Sequence, residues 1–188
     1  MLTQEDFKHV KKLAKLEIKL LEQEYRDILN HDDSSLYEEY EWLNEEQSSE
    51  LTRKRKNRRY ASLTMELCSI MEQMLLQLYK RTYQKKFNST QLMKTPAYRA
   101  RSNMEMLESE LGKQHITLKV GKEPCSTALH QAFQTRNRLI HENFSFAAIV
   151  KDGSNEEETF ETILHAVKKY RKHLSYERKV QNKAYVRD

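Results

Sequence analysis

The chain has 188 residues, 38% hydrophobic and 32% charged, which suits one domain (1–188) with a single core and, with mean hydropathy −0.90, leaves no apolar run of membrane-spanning length. Two cysteines fit neither a disulfide framework nor a metal pair, and the N-terminus carries no apolar signal core, so a cytoplasmic protein needing no metal or cofactor is expected. The net charge of +5 favours an anionic partner.

Neither strong helix breaker occurs before Pro96, although the chain holds 3 Gly and 2 Pro in all, and this predicts an all-α fold, a bundle of about five helices. Thr3 is a candidate N-cap, with Glu5 and Asp6 in the first turn where the helix dipole favours acids. The helix that follows carries Phe7, Val10, Leu13, Ala14, Leu20, Leu21, Tyr25 and Ile28 as its apolar band and is expected to end near Asn30.

Segment 36–59 stands apart as an acidic and then basic stretch, expected to be a mobile arm or the acidic cover of a basic groove. Leu36, Tyr40 and Leu43 keep helical spacing, but Glu38, Glu39, Glu41, Glu45 and Glu46 repel one another on the opposite face. The run Arg53, Lys54, Arg55, Lys56, Asn57, Arg58, Arg59 then places cations all round a helix, read either as an RNA-binding patch or as a solvated face. From Tyr60 the densest apolar stripe in the chain, Leu63, Leu67, Ile70, Met71, Met74, Leu75 and Leu78, predicts the central helix, continuing through Tyr79, Tyr83 and Phe87 towards a loop at Asn88.

A shorter helix is expected from Ala97 to Leu111, stopped by Gly112, and Ile116–Val120 alternates like an extended segment, too short to form a sheet alone. The last helix, 156–183, turns Phe160, Ile163, Leu164, Val167 and Leu174 inward. Its first turn is acidic and its later part basic.

Between these lies Ser126–Phe146. As a helix it places Leu129, Ala132, Phe133, Ile140 and the stem of Arg136 on one stripe, and His130, Gln134, Asn137 and His141 on the next. Arg136 and His141 fall roughly 140° apart around the axis, flanking a groove. A guanidinium grips phosphate through paired hydrogen bonds and an imidazole passes protons near neutral pH, the two needs of RNA cleavage by a 2′-hydroxyl. Arg26 and His31 repeat the spacing, but His31 opens the turn-like run His31-Asp32-Asp33-Ser34-Ser35 and should leave the helix that bears Arg26.

The run Arg136-Asn137-Arg138-Leu139-Ile140-His141 resembles the motif of the HEPN superfamily, small helical bundles marked by arginine, a polar residue and then histidine, with four to six residues between the Arg and the His. The resemblance covers the motif and the surrounding helical layout. It implies a homodimeric, metal-independent endoribonuclease of the toxin or phage-defence kind, with Arg136, Asn137 and His141 catalytic, and it allows a neutralising partner protein. The tyrosine that some members modify two residues after the histidine is Asn143 here, so that control is not expected. RNA is the expected partner, held also by Arg53, Lys54, Arg55, Lys56, Arg58, Arg59 and Arg138. A catalytically silent bundle that binds RNA, binds a partner protein or serves in dimerisation is the alternative.

Overall fold

The computed structural model describes residues 2–30, 40, 42–150 and 155–177. In chain order it contains α1 (Gln4–Asn30), α2 (Glu45–Tyr83), α3 (Ser89–Leu92), α4 (Asn103–Gly112), β1 (Ile116–Leu118), α5 (Pro124–His141), α6 (Glu156–His173) and β2 (Leu174–Tyr176). The fold is an all-α bundle. No helix among the described residues is long and apolar enough to cross a membrane.

α2 is the axis of the bundle, 39 residues long and about 58 Å at 1.5 Å per residue, and α1, α4, α5 and α6 all pack on it. Its apolar stripe explains why: Leu63, Leu67, Met71, Leu75 and Leu78 are fully buried, each worth roughly 1.5–3 kcal/mol out of water. At one end Tyr60 meets Phe146 and Phe160 at 5.6 and 5.7 Å between ring centroids. Asn44 starts α2 with a capping box, accepting from the Gln47 N–H while the Gln47 side chain accepts from the Asn44 N–H. Residues 45–59 are therefore the first turns of this helix. Of the predicted helix 36–43, residues 36–39 and 41 lie outside the described residues, and the described Tyr40, Trp42 and Leu43 are not helical.

The Thr3 hydroxyl accepts from the Asp6 N–H at 3.0 Å, so α1 begins at its expected cap. Its buried row is Phe7, Val10, Ala14, Ile18, Leu21, Tyr25 and Ile28, whereas Leu13 and Leu20 are 41% and 59% exposed. Steps of three and four make a narrow row on the one side that faces the bundle, and residues one position away lie about 100° off it. Leu13 and Leu20, expected in the apolar band, fall off that row.

Three boundaries also move. α2 ends at Tyr83, where Gln84 takes the left-handed conformation (φ 55°), and Asn88 caps the short α3 instead of opening a plain loop. α4 begins at Asn103, not Ala97, because Ser102 and Glu105 form a capping box there and Pro96–Tyr98 is a single 3₁₀ turn. The final helix stops at His173, where Leu174, Ser175 and Tyr176 pair antiparallel with Leu118, Thr117 and Ile116, and residues 178–183 of the expected helix lie outside the described residues. The short extended segment thus found its partner in residues expected to be helical, and Leu174 is buried as a strand residue.

A candidate site around Arg136

α5 carries the motif, and its rotational setting decides what the motif can reach. Cys125, Leu129, Ala132, Phe133 and Leu139 are buried, while Ile140 is 48% exposed, so the inward residue of the last turn is Leu139 and not Ile140. The helix ends where Asn143 and Phe144 adopt positive φ (51° and 60°) and the Phe144 N–H closes back on the Leu139 carbonyl at 2.8 Å. That is the Schellman pattern with asparagine in the left-handed position. It leaves His141 exposed at the final helical residue.

Arg136 is partly sunk, with 24% of its side chain exposed, and its guanidinium lies over the Phe133 ring at 5.1 Å. Nη1 meets Glu72 Oε2 of α2 at 3.2 Å, while Nε and Nη2 both donate to Asn137 Oδ1 at 3.3 and 3.2 Å. Asn137 therefore aims the arginine. Both residues, with Glu72, Glu105, His130 and Gln134, line a cavity of about 370 Å³ between α2, α4 and α5.

No family model matches the chain, and neither curated proteins nor solved structures give a match.

A second polar group adjoins the arginine. His130 Nε2 sits 2.6 Å from Glu108 Oε2, and the Ser126 hydroxyl donates to both Glu108 oxygens at 3.0 and 3.1 Å. The Glu108 hydrogen bond holds the His130 imidazole above its ordinary pKa against the opposing effect of burial. Burial, and then Glu108, pushes the Tyr170 hydroxyl well above an ordinary phenol. Behind Arg136, burial raises the Cys68 thiol to about 12, so it stays protonated and unreactive.

The structure thus brings Arg136, Asn137, Gln134 and His130 to one cavity and leaves His141 outside its lining. Of the other residues assigned to RNA, Arg138 donates to the Ala148 carbonyl at 3.3 Å, and Lys54 pairs with Glu50 at 2.7 Å. Arg53 and Lys56 line a cavity shared with Glu45, Glu156 and Glu157, while Arg58 and Arg59 are exposed on α2 along with Arg55. Arg26 pairs with Glu22 at 3.3 Å, and His31 lies outside the described residues.

Glu72, Glu105 and Glu108 had no place in the motif, because two other helices supply them. One signal was legible: Glu72 is the single charged residue between Leu67 and Tyr79. A lone carboxylate inside the densest apolar stripe asks for a cationic partner.

Proposed function

We propose that the chain is a metal-independent endoribonuclease of the HEPN type, acting as a homodimer in toxin or defence biology. The reading is carried by one observation: Arg136, aimed by Asn137, stands at the wall of a polar cavity on the same helix whose last residue is the exposed His141. In this reaction the 2′-oxygen attacks the adjacent phosphorus, a base takes the 2′-hydroxyl proton, the bond to the 5′-oxygen breaks, and an acid protonates that oxygen. The products are a 2′,3′-cyclic phosphate and a 5′-hydroxyl end. Arg136 neutralises the phosphorane's extra charge, and His141 moves the protons, supplied to the partner's arginine across a two-fold groove.

The Arg136–Glu72 ion pair favours a second reading, a silent bundle that binds RNA or a partner protein, because it already satisfies the guanidinium. Defined single-stranded RNA incubated with purified protein in excess EDTA separates the two. Cleavage that leaves cyclic-phosphate ends and is blocked by a 2′-deoxy substitution supports the nuclease. Intact RNA retained on the protein supports the silent bundle.

A further inference from the structure

On the far side of α5 lies a cavity of about 300 Å³, walled by α5 and α6. Its floor is built from small and aliphatic groups, among them Cys125, Ala128, Ala132 and Ile163, which keep the two helices close yet leave a slot. The charged groups in its lining are Arg138 and Lys169, joined by His165, and no carboxylate lines it. Arg138 spends one nitrogen on the neutral Ala148 carbonyl, and neither it nor Lys169 has an acidic partner among the described residues. Thr159 and Thr162 also face the slot, but their hydroxyl protons go to the Asn155 and Glu158 carbonyls of their own helix. The charged donors left for a guest are Arg138 and Lys169, beside the neutral Gln131 amide and Thr135 hydroxyl in the same lining.

A mainly apolar slot with two cations and no carboxylate in its lining selects a ligand that is hydrophobic along its body and negative at one end. At this volume, the lower limit of ordinary ligand pockets, the guest is small. We propose that the α5–α6 cavity binds a small organic anion, its apolar body along Ala128, Ala132 and Ile163 and its carboxylate held by Arg138, with Lys169 supporting from α6. The planar guanidinium suits a carboxylate better than the ammonium does, which makes Arg138 the principal contact. This site does not depend on the nuclease reading.

Octanoate, octanol and octylamine, each titrated into the full chain by isothermal titration calorimetry, test it. Octanoate should bind saturably at one site, at least about tenfold tighter than octanol, and octylamine should not bind. Arg138→Gln should weaken octanoate by about tenfold with little effect on octanol, and Lys169→Gln by less. Ala128→Leu, on the partly buried wall, should fill the slot and abolish both alkyl ligands while the thermal melt stays cooperative. The proposal is overturned if octanol or octylamine binds as tightly as octanoate, or if octanoate gives no saturable heat. It is equally overturned if the two charge variants leave octanoate unchanged, an outcome that needs no substitution in the core.

Discussion

The two sides of α5 make opposite uses of charge. Towards α2 and α4, Arg136 and His130 each have a carboxylate within hydrogen-bonding reach, Glu72 at 3.2 Å and Glu108 at 2.6 Å. Towards α6, Arg138 and Lys169 edge an apolar slot without any acid in its lining. A cation held by a carboxylate is fixed in place and must give up that contact before it can grip phosphate. A cation without one is free at once but less well positioned. The two stripes of one helix thus meet different neighbours, carboxylates on the side of α2 and α4 and none in the cavity lining on the side of α6.

The largest expected effect concerns the carboxylate side. Arg136→Ala and His141→Ala should each lower RNA cleavage by about 10²–10⁴-fold, while Arg26→Ala leaves it nearly unchanged. Because His141 stands outside the Arg136 cavity, mixing the two inactive variants under conditions of subunit exchange should restore part of the activity through heterodimers. Verified exchange without recovery would sink the shared site, and a monomer at micromolar concentration by light scattering would remove the homodimer.

The rotation of α5 decides which stripe faces which cavity. Leu139 is fully buried, so Leu139→Ala should cost about 2–5 kcal/mol in denaturant unfolding, whereas Ile140→Ala, nearly half exposed, should cost under about 0.5 kcal/mol. Equal costs would mean the helix is set differently, and both cavity assignments would fall with it.

How much of this was legible beforehand follows physical lines. The helices of the central core could be read because a buried stripe must repeat every three to four residues, and the Thr3 cap could be read because its chemistry is local. Phase was harder: Leu13 and Leu20 lie about 100° from the buried row of α1, whereas Ile140 lies by spacing within about 20° of the buried Leu129 and Phe133, yet the last turn of α5 buries Leu139 and leaves Ile140 48% exposed. The strand of Leu174–Tyr176 depends on a partner more than fifty residues away, Ile116–Leu118, which no local pattern announces. The same holds for the site. Arg136, Asn137 and His141 were visible as a linear motif, but the carboxylates that set the behaviour of Arg136 and His130 arrive from α2 and α4.

Glu72→Gln should separate the two roles of its ion pair. Leaving the partly buried Arg136 without a charged partner should cost about 1–2 kcal/mol of stability, and the freed guanidinium should bind single-stranded RNA more tightly, measured by fluorescence anisotropy. If stability falls and RNA affinity falls too, Glu72 positions the arginine rather than competing for it, and the contrast between the two sides of α5 narrows.

The smallest effect is a pH dependence confined to the same side. The Glu108 hydrogen bond raises the His130 pKa in the folded chain above its unfolded value. A raised histidine pKa means that the folded state holds the proton more tightly, so the stabilisation is fully present below the unfolded pKa, near 6.5. It is lost as pH rises through the higher folded value. With 26% of the His130 side chain exposed, solvent screening keeps this below about 1 kcal/mol. Unfolding free energies of wild type should therefore fall slightly as pH rises from below 6.5 through the folded pKa, and Glu108→Gln should flatten that fall. His130→Gln should flatten it as well. A slope that survives both substitutions belongs to another group, and the His130–Glu108 pair would then be a hydrogen bond with no net charge to lose.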